Sequence, residues 1–234
     1  MKVKFQKYNE IDFEYKYSDF HMHSTWTDGK GTIGEIIDFA KEIGLKKIAI
    51  TDHIRHDSTY FQDYSKEIQR LRREKNFDVY IGFEAKVNSF LGDIDVSKEN
   101  LKNTEISICS VHRFPIGRKL IPAKAFSSEN SQEIELELSI AAIKCGGFNV
   151  LGHPGGMSIR AHKEFKLEFF EEIISACSKY DIAFDFNSSY HGNYINELKK
   201  LFSKYNPFIS PGSDAHILSN IGSCSKHLIH SPND

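Results

Sequence analysis

Residues 18–28 read Ser-Asp-Phe-His-Met-His-Ser-Thr-Trp-Thr-Asp, a His-x-His pair followed five residues later by a carboxylate. In an extended strand successive side chains point to opposite faces, so His21 and His23 look the same way. Two imidazoles on one face form a chelating edge for a divalent metal, and Asp28 lies on the loop just beyond. Comparable groups recur along the chain, each at the end of a short apolar run: His53, Glu84, His112, His153, and finally Asp214 with His216. Six histidines and three carboxylates brought together could not satisfy one another by hydrogen bonding alone, whereas metal ions would satisfy them. His56, His162, His191, His227 and His230 fall on helices or loops instead, as scattered histidines would.

These groups need strands that end at one place. Strands are expected at residues 17–23, 47–53, 79–84, 106–112, 148–153, 182–187 and 208–216. Between them, Thr32 and Glu35 make a capping box that opens a helix ending near Gly44. Further helices are expected around residues 63–75, with Ile68 and Leu71 inward, and at 131–144, 165–179 and 194–205. Residues 86–104 read as irregular around a turn at 92–95, and a long loop with two prolines follows residue 112. Alternating strands and amphipathic helices imply a parallel sheet of βα units. An open doubly wound sheet would carry a Gly-rich turn after its first strand. Here that turn holds the histidines, which favours a barrel collecting strand ends at one mouth. A single domain over residues 1–234 is expected, its core at about 18–222.

Composition agrees with this. Of 234 residues 40% are hydrophobic, enough for a large core, and a net charge of −2 argues against a nucleic-acid footprint. No apolar run approaches the roughly 20 residues of a spanning helix, so no membrane partner is expected. Cys109, Cys145, Cys177 and Cys224 are widely spaced, as reduced buried thiols would be, and the first residues lack a signal-like apolar core. The expected address is cytoplasmic.

Asp19-x-His21-x-His23-Ser24, Thr51-Asp52-His53, Gly82-x-Glu84, Ser110-x-His112, Gly152-His153-Pro154 and Ser213-Asp214-Ala215-His216 together resemble the motifs of the polymerase and histidinol phosphatase (PHP) family, in family order. The resemblance implies a distorted (β/α)7 TIM-like barrel with two to three divalent ions, zinc, manganese or iron, at its C-terminal mouth. It implies that His21, His23, Glu84 and Asp214 hold one ion, Glu84, His112 and His153 a second, and Asp28, His53 and His216 a third. A water shared by such ions would lose a proton near neutrality and attack phosphorus as a metal-bridging hydroxide. Glu84, Asp214 and His216 are then the catalytic candidates, with the general acid unassigned.

Around the mouth, Arg55, Arg113 with Arg118 beyond it, and Arg160 are candidates to grip phosphate, because guanidinium forks match its oxygens. His191, past the one strand without a ligand, is a candidate for the leaving-group pocket. Asp19 and Asp52 are expected to orient imidazoles, and Trp26 and Tyr60 to wall the mouth. The expected activity is a metal-dependent phosphatase on a small phosphorylated metabolite. The alternatives are a phosphodiesterase or 3′→5′ exonuclease, and a non-catalytic metal-stabilised module. Only 18 residues follow His216, so barrel closure is expected to fall to a short segment or to the partner subunit of an oligomer.

Overall fold

Seven strands run in parallel around a barrel: β1 Ser18–Asp19, β2 Lys47–Ile50, β3 Asp78–Lys86, β4 Ile106–Ser110, β5 Val150–Gly152, β6 Ala183–Asn187 and β7 Phe208–Gly212. The computed structural model describes residues 2–117 and 119–229; Arg118 and His230 lie outside the described residues. Each strand pairs with the next in sequence order, from β1 on β2 to β6 on β7. The seam between β7 and β1 closes within the chain. Phe20 N–H donates to the Pro211 carbonyl at 2.7 Å, His23 N–H donates to Ala215 at 2.9 Å, and Met22 bridges Ala215 in parallel. This is the distorted (β/α)7 barrel, and neither a long C-terminal segment nor a partner is needed to seal it.

Both ends of the chain brace the seam. Residues Gln6–Lys7 add an antiparallel strand to β7, and the buried Tyr15 hydroxyl donates to the Ile209 carbonyl at 2.6 Å. Tyr15 belongs to the apolar plug inside the barrel, with Phe20, Tyr80, Ile106, Ile108 and Val150. After β7, Gly222 N–H donates to the Asp19 carboxylate at 2.8 Å, and Cys224 is buried.

The helices are α1 Ile33–Glu42, α2 Phe61–Lys75, α3 Lys98–Lys102, α4 Ser128–Cys145, α5 Gly156–His162, α6 Leu167–Lys179, α7 Ser188–His191, α8 Ile195–Tyr205 and α9 Ser225–Ile229. Thr32 closes the expected capping box with Glu35, and α2 buries Phe61, Tyr64, Ile68 and Leu71. Among the described residues no helix is long and apolar enough to cross a membrane.

The differences from expectation lie in short elements. The proline-containing loop folds as a hairpin of Phe114–Ile116 on Lys119–Ile121, and α3, α5 and α7 occupy stretches with no visible period. A helix of one or two turns cannot display a 3.6-residue repeat, and long-range partners hold it in place. For α5 that partner is Glu135 on α4, whose buried carboxylate accepts from Met157 N–H at 3.0 Å and Ser158 N–H at 2.7 Å.

Candidate metal centre

Glu84, only 1% exposed near the end of β3, is the hub of the mouth. Five imidazoles approach its carboxylate: His153 at 3.0 Å, His53 at 3.0 Å, His112 at 3.2 Å, His21 at 3.3 Å and His23 at 3.6 Å. The fold delivers each from a different place. After β2 the chain resumes pairing at His53–Ile54, in register with Glu84–Ala85, so the His53 ring lies against the carboxylate. His153 and Asp214 leave their strands at φ of 30° and 50°, in the left-handed region where L-residues are strained. Asp214 receives His23 Nε2 at 3.1 Å, with His21 Nε2 at 3.6 Å. Asp28, 52% exposed, faces His53 and His216 at 3.3 Å each and His23 at 3.7 Å.

All nine groups therefore meet at one mouth. Among the described residues eight of them fall into three overlapping sets with ligand atoms within 4.8 Å of one another: His23, Asp28, His53 and His216; His21, His23 and Asp214; His53, Glu84 and His112. His153 joins the cluster through Glu84, 3.0 Å away. His23 and His53 are shared between sets here, a partition different from the expected one. His21 Nε2, His23 Nδ1, His153 Nδ1 and Glu84 Oε2 are buried without a hydrogen-bond partner. An orphaned buried imidazole nitrogen or carboxylate oxygen is costly, and a divalent cation is the partner that nitrogen and oxygen donors of this kind accept. The residues fit a metal cluster.

The electrostatics are those of acids compensated by imidazoles. Burial pushes Glu84 up, but His112 and His21 hold it well below the usual carboxylate range. Burial lowers His53, and Glu84 more than reverses this, raising it to about 9. His21 is raised against its own burial by Glu84 and Asp185.

Asp185 is a site residue that no motif marks, because β6 is expected to end without a ligand. It is fully buried, and its Oδ2 accepts from His21 Nδ1 at 2.8 Å, His153 N–H at 2.9 Å and Asn187 Nδ2 at 3.0 Å. A carboxylate on Nδ1–H fixes the tautomer that turns the Nε2 lone pair toward Glu84 and Asp214. Gly212 is required beside it, because a Cβ there would lie 2.0 Å from Asp185 Oδ1.

Asp19 and Asp52 work differently from expectation, binding backbone and hydroxyls rather than imidazoles. Asp19, pushed up to about 6 by burial, accepts from Ser213 N–H at 3.0 Å and Gly222 N–H at 2.8 Å. Asp52 accepts from Ser24 N–H at 3.0 Å and Thr27 Oγ1 at 2.6 Å, and so holds the loop that presents Asp28. Trp26 stacks on Tyr60 with ring centroids 5.7 Å apart, and the Tyr60 hydroxyl donates to the His53 carbonyl. They buttress the His53 turn and do not line the mouth.

Two adjoining cavities open over the centre, of about 690 and 530 Å³, sharing Asp28, Arg160, Tyr190, Asp214 and His216. Arg113 lines the smaller one, as does Lys124 from the same proline-containing loop. Tyr190 lies in the polar segment after β6 where the leaving-group pocket is expected, whereas nothing in the local pattern marks Lys163 or Asn193. Arg55 is exposed and lines neither cavity. His191 also departs from its expected role. It is 1% exposed, with Nδ1 accepting from Asn187 N–H at 3.1 Å and Nε2 donating to the Pro154 carbonyl at 2.9 Å. Burial lowers it to about 4, so it is a neutral packing group with no nitrogen left for substrate.

A parallel barrel with a histidine–carboxylate cluster at the ends of its strands defines a class of metal-dependent hydrolase-like folds. Within it, the chain belongs to the PHP domain family, whose model matches residues 19–189. A probable phosphatase of Caldicellulosiruptor bescii is 30% identical over 203 residues, covering 81% of this chain and 75% of that protein. The DNA polymerase/3′-5′ exonuclease PolX of Bacillus subtilis is 26% identical over 180 residues, 73% of this chain but 29% of that one. In fold, the histidinol phosphate phosphatase of Lactococcus lactis, solved with zinc, L-histidinol and phosphate, superposes with a TM-score of 0.74 over 92% of this chain and 95% of its own, at 20% identity. The family is thus one of phosphatases and phosphoesterases.

Proposed function

We propose that this chain is a metal-dependent phosphomonoesterase acting on a small phosphorylated metabolite. The observation that carries the reading is the convergence of five imidazoles on the buried Glu84 carboxylate beneath an open mouth. Structural metal sites are closed by protein ligands, whereas a carboxylate shared among several sets beside open cavities leaves room for substrate. Divalent ions, zinc, manganese or iron, supply Lewis acidity and an activated water when bound.

The chain's own residues divide the remaining work. His21, His23 and Asp214 would hold one ion, Glu84 and His112 with His53 or His153 a second, and Asp28 and His216 with His23 or His53 a third. Glu84 would be the carboxylate shared between neighbouring ligand sets, while Asp214 and His216 stand where the mouth opens toward the larger cavity. Arg160 lines both cavities and Arg113 the smaller one, so both can pair with phosphoryl oxygens. A compact barrel without a basic stripe, at net charge −2, favours a small substrate over a polymer. The likeness to the PolX protein supports the runner-up, a phosphodiesterase or exonuclease.

The test is release of inorganic phosphate from a panel of monoesters by protein reconstituted separately with manganese, zinc or iron. A short single-stranded oligonucleotide is run alongside. Phosphate from a monoester, lost in Glu84→Gln, is the expected result. Nucleotide release alone would replace the reading with the exonuclease, and bound metal with no release from either would leave the non-catalytic module.

A further inference from the structure

We propose that the larger mouth cavity is a subsite for an anionic group on the leaving portion of the substrate, a carboxylate or second phosphate held by Arg160 and Lys163. The inference rests on the phosphomonoesterase reading and deepens it.

The placement of the two cavities comes first. The smaller one contains Glu84, His53, His112 and His153, the heart of the candidate centre, and is where a phosphoryl group would sit. The larger one, about 690 Å³, touches that centre only through Asp28, Asp214 and His216. An ester anchored by its phosphoryl group sends its alcohol portion outward. The larger cavity offers that portion room, lined by Ser188, Ser189 and Asn193 and by Arg160 and Lys163.

Charge then says what the room is for. Arg160 lies on α5 and Lys163 is the residue that ends it, and both line this cavity. Neither makes an ion pair among the described residues, unlike Lys75 with Asp38 or Lys204 with Glu171. The carboxylates in the same cavity are already engaged, Asp28 by His53 and His216 and Asp214 by His23. An anion entering the cavity that both line gains a guanidinium fork and an ammonium.

Backbone conformation gives a third, independent observation. Six non-glycine residues among those described have positive φ. Asn76, Asp181 and Asn206 are of types that adopt it readily, and His153 and Asp214 belong to the candidate centre. The sixth is Lys163, at φ 66°, in a helix-ending position that glycine fills most cheaply. A lysine there carries a backbone cost that glycine would avoid, at a position that lines the cavity.

The test pairs two esters that differ in one group. 3-Phosphoglycerate carries a carboxylate where glycerol 3-phosphate carries a hydroxymethyl. Metal-loaded protein should prefer the former in kcat/KM by about tenfold, roughly the contribution of one charge-assisted hydrogen bond. Lys163→Ala should abolish most of that preference through KM, and Lys163→Arg should restore it. Equal kcat/KM for the two esters, or a preference unchanged in Lys163→Ala, would overturn the proposal. Calorimetric titration of D-glycerate into metal-free protein reads the same subsite without turnover. Binding that Lys163→Ala weakens supports the subsite even if no ester is cleaved, in which case the phosphatase reading alone fails. No glycerate binding together with silence on both esters would overturn both.

Discussion

Replacing Asp185 by Asn keeps the size of the side chain while removing its charge. Asp185 Oδ2 takes three donors, from His21 Nδ1, His153 N–H and Asn187 Nδ2, at 2.8 to 3.0 Å. The amide oxygen must therefore occupy the Oδ2 position, which drives the NH2 into the place of Oδ1, a buried atom without a partner. An unsatisfied buried donor costs about 1–3 kcal/mol. The hydrogen bond to His21 also loses its charge assistance, making Nε2 less basic, and losses of this kind reduce metal affinity about 10–100-fold. That range corresponds to about 1.4–2.8 kcal/mol of binding free energy. Asp185→Asn should thus lower the unfolding free energy of the metal-free protein and, separately, weaken metal binding. Thermal unfolding without metal reads the first effect, and competition with a chromophoric chelator reads the second. A folded Asn variant that holds metal as tightly as the parent would refute the assignment of Asp185 as the orienter of His21.

Three other outcomes are expected. Glu84→Gln removes the anion on which five imidazoles converge, so bound metal and phosphate release should fall together; full metal content by elemental analysis would contradict the shared-carboxylate reading. His53, pushed up to about 9 mainly by Glu84 against its burial, is protonated at neutral pH in the metal-free chain. Its contribution to stability is fully present below its unfolded value of about 6.5 and is lost as pH rises through the folded value. Metal must displace that proton, so affinity should climb across this window and level above it, a trend that titrations at several pH values would show or exclude. Gly212→Ala would set a methyl 2.0 Å from Asp185 Oδ1 and 2.9 Å from the His21 Cβ, and should disturb metal binding although alanine carries no charge; unaltered metal affinity would mean that β7 can shift away.

Much of the centre was legible in the sequence because strand ends carry their own signal. An apolar run that stops in His or Glu names both an element and a ligand, and these groups, together with Asp28 and Asp214, meet at one mouth. Helices α1 and α2 were equally legible, since a capping box and a repeat of inward residues are local facts. What the sequence could not carry was anything decided by contact between distant segments. Asp185 sits in an apolar strand that reads as core, and only the register of β6 against β5 and β7 sets its carboxylate under His21 and the His153 amide. His191 reads as a loop histidine at a pocket, yet aromatic neighbours on α6 and β6 enclose it and both its nitrogens are used internally. Residue type and periodicity thus determined which groups face the mouth. Barrel closure, through hydrogen bonds between residues nearly two hundred positions apart, decided which of them touch, because pairing across the seam depends on the packing of the whole ring.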